Sequence, residues 1–209
     1  MEKLLSEYKE KKKHIKKRLK EFRDLYGSKD EDIFAELCFC LLTPQSKAVY
    51  CDKAVKDLKR KGLLLKGSRR VIKTRLKGVR FPNNKAAYLI AARRIFRNGK
   101  NVNIKSKLGS DDIFKTREWF VKNVKGLGYK EASHFLRNIG LGKDIAILDV
   151  HILRNLKKYG VIKKTPPSVT KKTYLSIENK MRAFSQMIKI PLEELDLLFW
   201  SSETGLIFK

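Results

Sequence analysis

The sequence has few residues that could cross-link the chain, hold a metal or anchor it in a membrane. Its three cysteines are an odd number, and Cys38, Cys40 and Cys51 do not have the spacing of a metal site. We therefore expect three buried, reduced thiols in a cytoplasmic protein. Apolar runs such as Leu37 to Leu42 are too short to cross a bilayer, and the charged N-terminus lacks the apolar segment of a secretory signal.

Acidic residues are scarce relative to basic ones. The 22 Asp and Glu are outnumbered by 49 Lys and Arg, which gives a formal net charge of +27. Because 42% of the residues are hydrophobic and 10% are aromatic, the chain can build a core, and a disordered basic tail is excluded. A charge this large needs an anionic partner. The sequence therefore predicts nucleic acid as that partner, with an anionic membrane surface as the weaker alternative.

Strand-like alternation is also missing, and no repeat of fixed period is present. Apolar residues recur instead at helical spacing, and glycine, proline or a capping side chain marks most segment ends. The fold class is therefore predicted to be all-α. The predicted helices cover about 3–25, 30–42, 46–62, 68–76, 82–99, 110–124, 129–139, 149–160, 170–188 and 191–200.

A glycine hairpin between two predicted helices is the most informative segment. Gly126-Leu127-Gly128 follows a helix ending near Val124 and precedes a helix beginning near Tyr129. Glycine permits positive φ and a close approach of backbone to a ligand, and we expect Leu127 to fill the space between the helices. The N–H groups that begin the second helix would then bind a phosphate whatever the base sequence. The alternative is an ordinary αα-hairpin with a glycine turn.

Lys130 lies in the first predicted turn of the second hairpin helix. The helix dipole disfavours a cation there, and Lys125, Arg137 and Lys143 would add to this effect if they lie nearby. A lysine that is partly neutral is a nucleophile that can form a Schiff base. A lysine that binds phosphate is the alternative.

Asp149 follows the apolar run 145–148 and precedes a predicted helix, so it is expected to cap that helix. A carboxylate near an amine nucleophile also suits cleavage of an N-glycosidic bond. The anion stabilises oxocarbenium character at the sugar C1′ and can move protons while an imine forms. Lys130 and Asp149 together therefore indicate chemistry on a nucleoside.

These two segments resemble a known superfamily. The run Gly126 to Ala132, followed by Leu148-Asp149-Val150-His151, resembles the helix–hairpin–helix and aspartate loop of the base-excision DNA glycosylases. Within that superfamily the chain most resembles the archaeal-type 8-oxoguanine DNA glycosylase/lyases. The resemblance covers essentially the whole chain, including Leu42–Gln45 and residues 200–209. The superfamily often has Gly-Pro before the aspartate, where this chain has Ile147-Leu148.

The resemblance implies a bifunctional DNA repair enzyme. Lys130 would be the Schiff-base nucleophile and Asp149 the essential carboxylate. Its partner would be double-stranded DNA containing 8-oxoguanine, which it would excise before cleaving the abasic strand by β-elimination. We expect a monomer in the cytoplasm, associated with the nucleoid. Two helical lobes are implied, residues 29–142 ending in the hairpin and residues 1–28 plus 143–209 carrying Asp149, with the hairpin at the cleft between them.

The resemblance also implies a structural cation but no catalytic cofactor. Backbone carbonyls of Lys122, Val124 and Leu127 would hold a monovalent or calcium ion at the hairpin. Related endonuclease III enzymes carry an iron–sulfur cluster on four cysteines near the C-terminus. This chain has no cysteine after Cys51, so no such cluster is expected. The histidines His14, His134 and His151 do not form a metal set by spacing, and neither of the last two is assigned a role in catalysis.

Base recognition is predicted at two places. Gln45 follows an apolar helix and could enter the gap left by an extruded base, although it could equally bond its own backbone. The apolar C-terminal tail favours burial, and burial would carry Lys209 inward. In the resembled family this tail contributes to the base pocket. Trp200 would stack on the damaged base and Lys209 would contact it, with Phe208 as a weaker candidate; alone, Trp200 would be assigned to the core.

Two other functions remain open at this point. One is a glycosylase for a different oxidised base, such as an oxidised pyrimidine, against which the tail from Trp200 to Lys209 argues. The other is a noncatalytic DNA-binding module that uses the hairpin only to hold phosphates. The joint presence of Lys130 and Asp149 argues against that module.

Overall fold

A computed structural model describes residues 1–109 and 112–208 of the chain. The all-α class is confirmed, since the described residues form eleven α-helices, one short 3₁₀-helix at Lys105–Lys107 and one pair of two-residue strands. The helices are α1 (Glu2–Tyr26), α2 (Asp30–Leu42), α3 (Ala48–Arg60), α4 (Leu63–Lys66), α5 (Arg69–Arg75), α6 (Pro82–Phe96), α7 (Ile113–Asn123), α8 (Tyr129–Asn138), α9 (Val150–Lys158), α10 (Lys171–Met187) and α11 (Leu192–Thr204).

The short strands were not predicted. Strand β1 (Arg97–Asn98) pairs antiparallel with β2 (Asn101–Val102), with Arg97 opposite Val102. The predicted helix through residue 99 ends instead at Phe96, because the chain turns back through Gly99 at φ 59°.

The chain divides into two compact units. The central unit contains Leu25–Phe135, and the terminal unit contains Met1–Asp24 together with Leu136–Lys209. The boundaries therefore lie inside α1 and inside α8, whereas the sequence placed them at 28/29 and 142/143. Those bounds came from the family resemblance, whereas α1 and α8 each continue across the point where the chain passes from one unit to the other.

The central unit is built around α2. This helix is apolar on all sides and buried along almost its whole length, as expected for a helix inside a domain. It packs against α3, α6 and β2. Aromatic rings extend the core, with Phe96 edge-on to Phe34 at 6.2 Å and stacked on Phe120 at 5.9 Å.

The terminal unit is built around α11, which packs against α9 and α10. One face of α1 belongs to the same core through Leu4, Ile15 and Leu19. Tyr8 on that face donates its hydroxyl to Glu194 of α11 at 2.8 Å. The N-terminal helix is thus a packed helix whose outer face carries its lysines.

Asp30 and Ser46 are predicted from residue type to cap α2 and α3, but the side-chain caps lie on other helices. Ser68 and Asp112 cap α5 and α7 through their side chains, whereas the predicted start of α7 at residues 110 and 111 lies outside the described residues. Asp30 and Ser46 do not cap their helices. Asp30 accepts a bond from the Lys105 backbone N–H, and Ser46 is engaged elsewhere, as described below.

The cysteines and the length of the apolar helices were both subjects of prediction. The three cysteines are buried thiols, as predicted. Across the described residues, no helix has both the length and the hydropathy that a bilayer span requires.

Candidate active site

The glycine hairpin lies between α7 and α8 in the central unit. Leu127 donates its backbone N–H to the Val124 carbonyl at 3.1 Å, which closes the turn. Its side chain is buried, as predicted. Gly126 has φ 89°, and a Cβ there would lie 2.5 Å from the Tyr88 ring. Residue 126 must therefore be glycine for two reasons, the backbone conformation and the space taken by Tyr88.

Gly128 is under no such constraint. A Cβ there would meet only a Glu131 carboxylate oxygen at 3.1 Å, the mobile end of a side chain. Of the two glycines, which both permit positive φ, only Gly126 adopts it. The folded chain leaves space around Gly128 at the start of α8, so neither backbone conformation nor packing requires glycine there.

A buried arginine fixes α8 against α7. Arg117 donates to the Ser133 hydroxyl at 3.0 Å, and its guanidinium lies over the Tyr129 ring at 5.4 Å. The Tyr129 hydroxyl donates to Glu118. These contacts hold the first turn of α8, where the backbone N–H groups have no acceptor inside the helix. The first turn of α8 is therefore fixed against α7 by side-chain contacts, which the sequence motif alone did not establish.

Lys130 is in this first turn, with about a quarter of its side chain exposed. Its amine lies 3.3 Å from a Glu131 carboxylate oxygen. The predicted cationic neighbours Arg137 and Lys143 belong to the terminal unit, where Arg137 lies over the Phe22 ring at 4.9 Å. Lys125, the third predicted neighbour, belongs to the central unit, as does Lys85, whose charge interacts with that of Lys130.

Lys85 and Cys51 are the buried groups beside Lys130. Burial lowers the pKa of the Lys85 ammonium, and the charge of Lys130 acts in the same direction. Burial raises the pKa of the Cys51 thiol to about 11, although Lys85 and Lys130 oppose the shift. Cys51 is therefore a neutral thiol that donates to the Leu42 carbonyl at 3.2 Å.

Asp149 is in the terminal unit, at the start of α9. One carboxylate oxygen accepts the backbone N–H groups of His151 and Ile152, both at 2.8 Å, so the predicted N-cap is confirmed. The residue as a whole is half-buried. A fixed anion on a partly exposed helix start is suited to stabilising positive charge.

The loop before Asp149 is held by α10. Tyr174 donates its hydroxyl to the Ala146 carbonyl at 2.6 Å and lies 3.3 Å from the Leu148 backbone nitrogen. Glu178 accepts the Ala146 N–H at 2.8 Å. Ile147 and Leu148 are buried. Packing and side-chain hydrogen bonds therefore fix the loop at the positions where the superfamily often has Gly-Pro.

Trp200 lies near the same helix start. Its ring is edge-on to the His151 ring at 6.4 Å, and His151 Nδ1 lies 3.9 Å from a Glu203 carboxylate oxygen. Trp200 is half-buried, so it is not the fully buried core residue that its helix position alone would suggest. The terminal unit thus brings together Asp149 and Trp200, two of the predicted site residues, from helices α9 and α11.

The C-terminal tail departs from the prediction of burial. Leu206 is 56% exposed, and Phe208 is only half-buried. Gly205 ends α11 in the left-handed conformation at φ 73° and turns the chain out of the helix, which explains the exposure. Lys209 lies outside the described residues, so its predicted contact with the damaged base stays a prediction.

Comparison with known proteins gives the family. A family model described as 8-oxoguanine DNA glycosylase matches residues 15–190. A relative from Fusobacterium nucleatum, named 8-oxoguanine DNA glycosylase/AP lyase, is 47% identical over 97% of this chain and 94% of its own length. A relative of the same name from Methanocaldococcus jannaschii is 38% identical over 93% of this chain and 91% of its own length.

The chain belongs to the 8-oxoguanine DNA glycosylase family. Solved structures agree with this assignment. The M. jannaschii 8-oxoguanine DNA glycosylase has a TM-score of 0.88 and 37% identity, covering 100% of this chain and 95% of that one. A second structure of the M. jannaschii 8-oxoguanine glycosylase/lyase, in complex with a 15mer DNA containing 8-oxoguanine, has a TM-score of 0.88 and 36% identity over the full length of both chains.

Three exposed non-glycine residues of this family member have positive φ. They are Gln45 between α2 and α3 at 55°, Phe81 before α6 at 56°, and Lys189 after α10 at 56°. Phe81 is 49% exposed, and the Arg80 guanidinium lies 5.3 Å from its ring centre. Non-glycine residues in this conformation often belong to functional sites. The sequence singled out Gln45, whereas it gave no sign of the conformation at Phe81 beyond the Pro82 that begins α6.

A buried carboxylate lies near Asp149 in the glycosylase terminal unit. Asp196 of α11 is 4% exposed, and its carboxylate is 3.7 Å from Arg137 Nη2. Burial raises the pKa of Asp196 to about 6; Arg137 opposes the shift and the charge of Asp149 adds to it. The folded protein therefore holds a proton on Asp196 at pH values where the unfolded chain has released it.

We expect Asp196→Asn to remove this proton linkage. The folded pKa of Asp196, about 6, is above its ordinary value of 3.8, so the free energy of unfolding falls as the pH rises through that window. Relative to native protein, Asp196→Asn should gain about 2 kcal/mol between pH 4 and pH 7.5. Urea unfolding of both proteins at the two pH values measures the change.

Asp57→Asn provides a contrast of opposite sign. The neighbouring Lys61, Arg60 and Arg75 lower the pKa of Asp57. The carboxylate of native protein therefore contributes stability that is present at neutral pH and lost in acid. The free energy of unfolding of Asp57→Asn, relative to that of native protein, should fall as the pH rises. If the free energy of unfolding of Asp196→Asn changed with pH in the same way as that of native protein, the raised pKa assigned to Asp196 would be contradicted.

Proposed function

We propose that this protein releases 8-oxoguanine from double-stranded DNA and then cleaves the abasic strand, with Lys130 as nucleophile and Asp149 as the essential carboxylate. The observation that carries the proposal is the seating of Lys130 in the first turn of α8, directly after a phosphate-binding hairpin. A lysine so placed is brought to the DNA backbone by the same element that binds it.

The first stage is transfer of the sugar from base to enzyme. The neutral Lys130 amine attacks C1′, the N-glycosidic bond breaks, and 8-oxoguanine leaves with the electron pair of that bond. Positive charge develops on the sugar, and the Asp149 carboxylate stabilises it. Two backbone N–H groups hold this carboxylate at 2.8 Å, so it needs no reorganisation during the reaction.

The second stage is strand cleavage from a Schiff base. Opening of the sugar ring gives an imine between Lys130 Nζ and C1′. A proton is then lost from C2′, and β-elimination breaks the C3′–O bond and releases the 3′ phosphate. Water hydrolyses the remaining imine and regenerates the amine. Covalent catalysis of this kind divides one difficult reaction into easier steps.

The DNA contacts follow from charge and exposed turns. The net charge of +27 attracts the duplex backbone, and the hairpin Gly126-Leu127-Gly128 binds phosphate. Gln45, exposed on a strained turn, fills the space left by the extruded nucleotide. Trp200 stacks on the damaged base, while Lys209 and Phe208 contribute the remaining contacts. The protein acts as a monomer.

The proposal includes a structural cation at the hairpin. Backbone carbonyls of Lys122, Val124 and Leu127 are oxygen donors of the kind that hard cations prefer. The Val124 carbonyl already accepts the Leu127 N–H, but a carbonyl oxygen has a second lone pair and can bind an ion as well. These residues therefore fit a monovalent or calcium ion, which would brace the turn. Catalysis itself needs no cofactor.

Borohydride trapping across a set of duplexes tests the proposal. The native protein should give a covalent adduct with 8-oxoguanine and with a preformed abasic site, but not with undamaged guanine. A stronger adduct with an oxidised pyrimidine would favour a different glycosylase. Salt-sensitive binding without adduct or strand cleavage would leave only a DNA-binding module.

A further inference from the structure

Lys85 is a buried lysine that lies outside the proposed chemistry. It is only 3% exposed, on the second turn of α6. Its Nζ donates to the Leu42 carbonyl at 2.6 Å, the Pro44 carbonyl at 2.7 Å and the Ser46 hydroxyl at 2.8 Å. An ammonium group has three N–H donors, and here each has an acceptor. Burying a lysine is costly, so full hydrogen bonding explains how it can remain buried.

All three acceptors belong to one segment, the turn between α2 and α3. This segment, residues 42–46, presents Gln45 on the surface at φ 55°. A non-glycine residue in that conformation is strained and persists only where its surroundings hold it. Lys85 supplies that restraint, because it binds oxygens on both sides of Gln45.

The Ser46 hydroxyl extends the restraint to a second turn. It accepts the Arg80 backbone N–H at 2.9 Å while it also accepts from Lys85. Arg80 immediately precedes Phe81, the second exposed residue with positive φ. One ammonium and one hydroxyl therefore fix two strained turns to each other. This is the role of Ser46 in place of the predicted helix cap.

We propose that Lys85 is a positioning residue, which with Ser46 presents the Gln45 and Phe81 turns to the duplex in one fixed arrangement during extrusion of the damaged nucleotide. This inference rests on the proposed function. Groups that replace an unstacked base must be held in place beforehand, because ordering a loose turn on binding would reduce the gain from inserting it.

Loss of the hydrogen bonds that Lys85 makes to the 42–46 turn should slow excision of an intact lesion more than it slows reaction at an abasic site. In Lys85→Met, which keeps the length of the side chain but has no donor, we expect single-turnover excision from an 8-oxoguanine duplex to fall about 10- to 100-fold. Trapping on a preformed abasic duplex should stay within about twofold of native, because no base has to be unstacked.

Arg93→Met is the matched control. Arg93 also lies on α6, and it donates to the Gly67 carbonyl at 2.9 Å and the Leu64 carbonyl at 3.3 Å. It therefore ties a different loop to the same helix with the same kind of bond. We expect Arg93→Met to lower the thermal unfolding temperature but to leave both rates unchanged.

A double-mutant cycle with Gln45→Ala separates positioning from general loosening of the fold. If Lys85 acts through Gln45, the double variant should lose no more excision rate than the worse single variant. Multiplied losses would overturn the proposal. Equal slowing at lesions and abasic sites would also overturn it, since Lys85 would then act on Lys130, whose charge it senses, or on the whole fold.

Ser46→Ala keeps the proposal testable if Lys85→Met does not fold. This change leaves two acceptors to Lys85 but removes the bond to Arg80, and it should slow lesion excision selectively. If Ser46→Ala reacted at the native rate on both duplexes, the proposed link between the Gln45 and Phe81 turns would be refuted. Failure of the proposed function is distinguishable, because the native protein would then not release 8-oxoguanine at all.

Discussion

Replacing Lys130 by glutamine should abolish the covalent adduct with 8-oxoguanine DNA under borohydride. Glutamine keeps a polar side chain of similar length in the first turn of α8, but its amide nitrogen cannot attack C1′. We expect both base release and strand cleavage to fall by about a thousandfold or more, the scale of loss seen when an enzyme's nucleophile is removed. Gel analysis of single-turnover reactions, with and without borohydride, measures the effect.

Lys115→Gln is a suitable control for the lost charge. Lys115 is on the exposed surface of α7, with its amine 3.7 Å from Asp112. Both variants remove one positive charge, so both should show a similar small change in the salt dependence of duplex binding. Only Lys130→Gln should lose the adduct. An adduct of native intensity in Lys130→Gln would move the nucleophile to another residue.

The hairpin and the cap were readable from sequence because both are local. Gly126-Leu127-Gly128 determines a turn through its own backbone freedom, and Asp149 caps the helix that begins one residue later. Helical spacing likewise predicted most elements of the fold. Such features depend on neighbours along the chain, which the sequence shows directly.

The contacts that hold these elements were not predictable in the same way. Lys85 is 39 residues from Ser46 along the chain, and Arg117 is 16 residues from Ser133. A lysine or an arginine in a basic sequence is usually assigned to the surface. Only the fold shows that these two are buried and have carbonyl or hydroxyl acceptors. The strain at Phe81 is hidden for the same reason, since nothing in its sequence requires positive φ.

The tail shows a different limit of sequence reasoning. Apolar character predicted burial for residues 206–208, but the glycine cap of α11 directs the chain outward. The preference for burial is real, yet a short segment after a helix cap can satisfy it only if a surface lies within reach. Trp200, by contrast, is placed by α11 itself, which makes its position near His151 independent of the tail.

Replacing Asp149 by asparagine should separate catalysis from structure. Asparagine caps helices about as well as aspartate, and its side-chain oxygen can accept the His151 and Ile152 N–H groups that Asp149 now accepts. The variant should therefore unfold near the native temperature. Loss of the negative charge should reduce release of 8-oxoguanine by about 10²- to 10³-fold, because the sugar cation would then lack its fixed counter-ion.

The stage of the reaction that is slowed identifies what the carboxylate does. At a preformed abasic site the glycosidic bond is already broken, so Asp149→Asn should retain more of its trapping there than on the intact lesion. Asp112→Asn, which exchanges the corresponding cap of α7, should leave both reactions unchanged. Asp149→Ala should behave like Asp149→Asn in rate but lose about 1 kcal/mol of stability with the cap. If Asp149→Asn released 8-oxoguanine at the native rate, Asp149 would serve only as a helix cap. Another anion would then have to stabilise the sugar cation.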